Sequence, residues 1–336
     1  MWRKQKNNQN KLVNADRKLQ KAKALENGSI GDSNAGALTT SASAATDAAA
    51  GATNTSKYHA ERTWAELAAE HGLEQRLTKA IAKQGWVRPT LVQAEMLPLA
   101  FKGKDLLVRA RTGSGKTGAF AVPTLHKLLL SKAAADAAAP HAATPATRAV
   151  VLVPTRELCE QVRRHMWELM FYARDVLSLL ALVGNDDAAQ RAQLVTRPDV
   201  VIATPARLAH HLAHLTRVAA DGGKKGSGDG GDGGGGGGAL AMLDALRTSV
   251  ETLVIDEADL VLSFGHGHDV NKVLSHLPKT YQGFLMSATL SEDLALLKRV
   301  ALRAPVTLKL EEGDGGLGGG PDGGGKLLQF FLEVVQ

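Results

Sequence analysis

Residues 110–117 read ARTGSGKT and residues 253–259 read LVIDEAD, and the side chains in the two stretches suit one chemistry. In the first, glycines at 113 and 115 let backbone N–H groups converge on an anion, and the start of a following helix adds its positive dipole. Lys116 has the reach to meet the β and γ phosphates of a nucleotide, and the Thr117 hydroxyl is a hard oxygen ligand for Mg²⁺. Ala110 stands where the common form of this loop has glycine. In the second stretch, Asp256 and Glu257 close an apolar run. Alone, that pair also fits a strand followed by a solvated acidic turn. Beside a phosphate-binding loop it acquires a chemical role, in which Asp256 holds the Mg²⁺ from the side opposite Thr117, and Glu257 orients or deprotonates an attacking water.

Positioning these groups requires strands. Six apolar runs, at 106–108, 150–153, 178–183, 200–203, 252–255 and 283–286, alternate with helical segments. That alternation predicts the α/β class, a parallel sheet covered by helices, with the phosphate loop and the acidic motif at its C-terminal edge. PTREL (154–158) and TPARL (204–208) each follow such a strand and open a helix. The hydroxyls of Thr155 and Thr204 and the helix amides are natural phosphate ligands, and Arg156 and Arg207 add charge. Gln93 carries an amide that can donate and accept at adenine N6 and N7. It also fits a plain helix start with Thr90 as cap. Ser291 reads as the cap of the helix that begins SEDLALLKR. His266 and His268 read as a solvated loop pair rather than metal ligands, because no further His or Cys stands near them.

Composition bounds the rest. The formal charge is +6, but residues 1–24 hold eight Lys or Arg against one Asp, so the remainder is close to neutral. A basic tail of this kind suits nuclear import or non-specific RNA contact, and equally a solvated segment with no address. Residues 26–56 contain hardly a large apolar side chain, and twelve of the eighteen residues at 221–238 are glycine. The expected organisation is a basic then low-complexity disordered tail at 1–57, and a folded region over 58–310 with insertions at 131–147 and 221–238. A Gly-rich segment follows at 311–336. Cys159, the single cysteine, precludes an internal disulfide and reads as a packed helix residue. No apolar run approaches the roughly 18 residues that span a bilayer, so no membrane partner is expected.

The order GWVRPTLVQ (85–93), ARTGSGKT (110–117), PTREL (154–158), TPARL (204–208), DEAD (256–259) and SAT (287–289) resembles the first RecA-like core domain of the DEAD-box RNA helicases, over about residues 62–310. The resemblance implies a P-loop ATPase fold with ATP and Mg²⁺ as cofactors and RNA as partner, with 58–94 as the adenine-recognition region and 95–310 as the ATP-binding domain. It assigns Trp64, Thr90, Gln93, Arg111, Thr112, Gly113, Ser114, Gly115, Lys116 and Thr117 to ATP, with Trp64 stacking near the base. Lys116, Asp256 and Glu257 are its catalytic residues, and Thr117 and Asp256 its metal ligands. Pro154, Thr155, Arg156, Gly184, Thr204 and Arg207 fall to the RNA backbone. Ser287 and Thr289 hydrogen-bond toward Asp259 and couple nucleotide state to RNA grip. Two positions depart from the family pattern: Ala206 replaces a glycine in TPGR, and Asn185 follows Gly184 where the family has a glycine pair.

Within the family, DEADLVLSFG with LPKTYQGFLMSATLSED and PVTLKL is similar to the nucleolar branch that acts in large ribosomal subunit assembly. That similarity implies a nuclear, nucleolar location and pre-rRNA or pre-ribosomal particles as partners. KLLQFFLEVVQ (326–336) resembles the linker into a second core domain, and no HRxGR-type arginine motif occurs in the 336 residues. The expectation is a truncated product or a natural half-enzyme that needs a second helicase core domain in cis or in trans. Three functions are open at this level: an RNA-dependent ATPase and helicase, a module that binds ATP and RNA without turnover, and a general P-loop ATPase acting on other partners. PTREL, TPARL and the Gln93 motif weigh against the third.

Overall fold

The buried strands that the apolar runs predict assemble into one sheet in the computed structural model, which describes residues 59–138, 145–222, 234–289 and 292–310. The strands are β1 (Leu106–Arg109), β2 (Ala149–Leu152), β3 (Leu179–Ala181), β4 (Val200–Ala203), β5 (Thr252–Ile255), β6 (Gln282–Ser287) and β7 (Val306–Lys309). They lie in the order β3-β4-β2-β5-β6-β1-β7, and every pairing is parallel. Parallel neighbours require crossovers, which the helices supply. These are α1 (Trp64–His71), α2 (Gln75–Lys83), α3 (Leu91–Phe101), α4 (Lys116–Ala138), α5 (Arg156–Leu169), α6 (Asp187–Val195), α7 (Pro205–Gly222), α8 (Gly234–Ser249), α9 (Ala258–Ser263), α10 (Gly267–Leu274) and α11 (Glu292–Ala301).

The strands are apolar at consecutive positions because both faces are covered. Leu106, Val108, Val151, Ile202, Val254, Phe284 and Met286 join the core under α1 to α5. The alternate residues Leu107, Val150, Leu152, Val201, Leu253, Ile255 and Leu285 join the core under α7 to α11. Cys159 is fully buried in the first of these cores, and burial pushes its thiol up to about 12, so it packs as expected and is inert.

Three elements differ from the sequence expectation. The region 131–138, read as an insertion, continues α4 without a break. Alanine is the best helix former, so this Ala-rich stretch extends the helix. Helix α8 begins inside the glycine-rich stretch at Gly234, anchored where Ala239, Met242 and Leu246 bury. Strand β7 was not among the six apolar runs; it pairs with β1 and forms the sheet edge. The tail at 1–57, the centre of the glycine run at 223–233, residues 139–144, Ser291 and 311–336 lie outside the described residues. No described helix is long and apolar enough to cross a membrane.

Candidate functional site

The loop after β1 is built for close approach. Gly113 and Gly115 have φ of 82° and 93°, a region that side-chain-bearing residues rarely adopt. A Cβ on Gly115 would also stand 2.7 Å from Thr90 Oγ1 and 2.9 Å from Gln93 Nε2. Gly115→Ala is therefore expected to distort the loop and weaken nucleotide binding at least tenfold, read by titration with a fluorescent ATP analogue, while Gly103→Ala, a positive-φ glycine with open space around its Cβ, leaves that affinity unchanged. Lys116, at the start of α4, is buried; its Nζ donates to the Ala110 carbonyl at 2.9 Å and stands 3.0 Å from Glu257 Oε1.

The carboxylates arrive from β5. Asp256 continues the ladder by donating its N–H to the Leu152 carbonyl, and its Oδ1 accepts from the Glu257 N–H at 3.0 Å. Glu257 sits in the left-handed region at φ 47°, ψ 53°, an uncommon conformation for a glutamate and one that concentrates at functional sites. Burial, then the neighbouring Glu257 charge, pushes the Asp256 carboxyl up to about 7, although Lys116 pulls the other way. A folded state that keeps this proton where the unfolded chain has lost it becomes less stable as pH rises from about 4 toward 7. Thermal melts of the metal-free protein should accordingly show Asp256→Asn gaining on the wild type between pH 5 and pH 8. The same carboxyl, short of compensating charge and lining one cavity with the Thr117 hydroxyl, is an oxygen donor set that suits Mg²⁺.

That cavity has a volume of about 850 Å³ and is lined by Thr90, Gln93, Thr112, Gly113, Gly115, Lys116 and Thr117 together with Asp256 and Glu257. The sequence-assigned Arg111 and Ser114 belong to the same loop but do not line it. Gln93 is held at both ends of its amide: Oε1 accepts from the Thr90 N–H at 2.9 Å, and Nε2 donates to the Gly115 carbonyl at 3.2 Å. It ties the start of α3 to the phosphate loop.

Trp64 requires a correction. It is 4% exposed and packs against Trp86 at 5.8 Å between ring centroids, so the ring facing the cavity is Trp86, which also stacks on His165 at 5.4 Å. Trp64 lies in the same buried core cluster as Leu67 and Leu97. Trp86, His165 and Gly118 were missed from the sequence. A Cβ on Gly118 would meet Gln93 Nε2 at 2.6 Å and Trp86 at 3.2 Å. Trp86 stands inside the GWVRPTLVQ stretch, and its type was the available signal.

A second cluster lies at the C-terminal ends of β2, β3 and β4. Thr155 and Thr204 cap α5 and α7 through their hydroxyls, accepting from the N–H of Leu158 and of Arg207. Arg156 is exposed and donates to Asn185 Oδ1 at 2.7 Å, so the residue standing in the glycine pair is a partner of the PTREL arginine. Gly184 is exposed and its carbonyl accepts from Arg207 Nη2 at 2.9 Å. Pro154, assigned to the same surface, is buried immediately before α5.

The residues expected to couple the two sites, Asp259, Ser287 and Thr289, are joined in a different order from that expected. Thr289 donates to Asp259 Oδ2 through both its N–H, at 3.1 Å, and its hydroxyl, at 2.9 Å. Ser287 is fully buried and donates to the Thr289 carbonyl at 2.8 Å, so it supports Thr289 rather than touching Asp259. His266 stands 3.9 Å from Asp269, and no group of three or more possible metal ligands occurs among the described residues.

Residues 90–297 match the family described as DEAD/DEAH box helicase. The chain belongs to that family. Among curated relatives, the probable ATP-dependent RNA helicase ddx56 of Dictyostelium discoideum is 40% identical over 243 residues, covering 72% of this chain and 30% of the relative. The ATP-dependent RNA helicase dbp9 of Aspergillus oryzae is 39% identical over 265 residues, covering 79% and 37%. This DEAD/DEAH box chain thus spans about a third of the length of the curated relatives it matches. Its fold is similar to that of a DEAD box protein from the hyperthermophile Methanococcus jannaschii, with a TM-score of 0.54 and 25% identity over 74% of this chain and 55% of the other.

Proposed function

We propose that this chain is the nucleotide- and RNA-binding core domain of an ATP-dependent RNA helicase of the nucleolar branch, acting on pre-rRNA or pre-ribosomal particles. One observation carries the reading: Lys116, Thr117, Asp256 and Glu257 converge on one cavity, and the Thr155, Arg156, Gly184 and Thr204 cluster stands on the same sheet edge. In support, the relatives are named ATP-dependent RNA helicases.

Asp256 and the Thr117 hydroxyl would hold Mg²⁺, which would supply charge neutralisation along the triphosphate. The loop amides around Gly113 and Gly115 bind phosphate oxygens. Lys116 exchanges the Ala110 carbonyl for a phosphate oxygen while Glu257 stays within its reach. Glu257 then accepts the proton of the attacking water. Asp259, released from or held by Thr289, links the acidic motif to β6 and so relates nucleotide state to the strand next to β1. A second core domain, in cis or in trans, completes the RNA cleft and contributes the arginines that stabilise charge on the transferred phosphate.

The test is ATP turnover with and without structured RNA, for this chain alone and with a separately supplied second core domain. Stimulation by RNA in the two-domain mixture is the expected result. Turnover indifferent to RNA in that mixture would contradict an RNA-dependent enzyme.

A further inference from the structure

Arg207, in the RNA-side cluster, has a guanidinium already engaged on several sides within the protein. Its Nε donates to Gln190 Oε1 at 2.9 Å, and its Nη2 donates to the Gly184 carbonyl at 2.9 Å and pairs with Asp187 Oδ1 at 2.6 Å. The side chain is only 16% exposed. Gln190, 6% exposed, faces the same carbonyl: its Nε2 donates to Gly184 O at 2.8 Å. Two donors fill both lone pairs of that oxygen, so the 184–185 peptide has a fixed orientation. Behind Gln190 stands His211, fully buried on α7, with Nε2 2.8 Å from Gln190 Oε1. Because that oxygen carries no proton, the hydrogen comes from His211 Nε2. Burial and the Arg207 charge depress the imidazole to about 4, which keeps it neutral. Asp187 is held in turn by His210 Nε2 at 3.0 Å.

We infer that Arg207, Gln190 and His211 form a brace that fixes the turn at 184–187, and that Arg207 is a positioning residue for the RNA contact instead of a ligand of the RNA phosphate. The inference rests on the RNA-binding reading and deepens it. Arg156, exposed and hydrogen-bonded to the Asn185 amide, is the phosphate-facing arginine that the brace presents, because Asn185 follows the fixed Gly184 carbonyl. His211 lies seven residues beyond Thr204, outside any motif read from the sequence.

Salt dependence separates a brace from a ligand. Removing one phosphate-binding charge from a single-stranded RNA site flattens the slope of log K against log salt by about 0.7. Anisotropy titrations of a labelled oligo-U across a KCl series should show Arg156→Ala flattening the slope by about that amount. Arg207→Ala should lower affinity about tenfold at an unchanged slope. Arg207→Lys should behave like Arg207→Ala, because an ammonium keeps the charge but cannot make the directed fork to Gln190, Gly184 and Asp187. His211→Ala should reproduce the loss and His211→Gln, which keeps an N–H donor, should recover it, with affinity for a fluorescent ATP analogue unaltered throughout. A slope flattened by about 0.7 in Arg207→Ala, or full affinity in Arg207→Lys, would overturn the brace while leaving RNA binding intact. Amide exchange without RNA gives the independent check: Arg207→Ala should speed exchange at 184–190 and leave β2 and β5 unchanged, and equal protection at 184–190 overturns the brace. Failure of the wild type to bind oligo-U with that exchange signature present would count against the RNA reading alone.

Discussion

Lys116→Ala weakens binding of a fluorescent ATP analogue by about 10²-fold, the size expected for losing hydrogen bonds from a cation to phosphate, about 3 kcal/mol. The ammonium is the cation that meets the buried acidic pair, 3.0 Å from Glu257 and beside an Asp256 whose charge burial already opposes. Removing it therefore has a second consequence. Breaking a buried pair from one side costs about 3–5 kcal/mol, so the alanine variant also melts earlier. Lys116→Arg separates the two effects. Its guanidinium keeps a positive charge beside Glu257 and should retain most of the stability, but a planar fork does not fit a turn shaped around a compact ammonium, and analogue binding stays weak. Unchanged affinity in the alanine variant would remove the phosphate-loop assignment altogether.

The second large effect falls on turnover. With structured RNA and a second core domain present, Glu257→Gln should retain the Mg²⁺-nucleotide within a few-fold of wild-type affinity and lose 10² to 10⁴ of the hydrolysis rate, the range that a positioned general base contributes. The amide is isosteric and keeps an oxygen within reach of Lys116, so the left-handed turn at residue 257 has no new steric reason to change. What it lacks is the capacity to take a proton from water. The diagnostic is the split itself, binding retained and rate lost. A variant that hydrolyses ATP at the wild-type rate takes Glu257 out of the water-activating role and leaves it as the partner of Lys116.

The chemistry was legible where it is local in the chain. A loop whose two glycines, lysine and threonine follow a short apolar strand needs no tertiary information to be recognised, and the strand ending in Asp256 and Glu257 supplies its complement. The parallel sheet was legible for the same reason: strands covered on both faces carry runs of consecutive apolar residues. What escaped depends on neighbours distant in sequence. Trp64 and Trp86 are both tryptophans upstream of Gln93, and only packing decides which ring faces the cavity. Arg207 read as a charge for RNA because nothing in TPARL shows that its partners come from residues 184–190. Ser287 and Thr289 are near neighbours in sequence, yet only Thr289 reaches Asp259, since strand β6 turns Ser287 into the interior. Helix α4 ran on through the alanines at 133–138 because helix propensity prevailed over the low-complexity signal.

The most direct test of the ATP site is titration of the chain with a fluorescent ATP analogue in Mg²⁺ and again in EDTA, with unlabelled ATP and GTP as competitors. A cavity in which Lys116, Thr117 and Asp256 face the phosphates predicts binding that weakens at least tenfold in EDTA, with ATP as the stronger competitor. Binding that is absent, or that is indifferent to Mg²⁺, would contradict the assignment of Asp256 and Thr117 to the metal and of the cavity to the nucleotide.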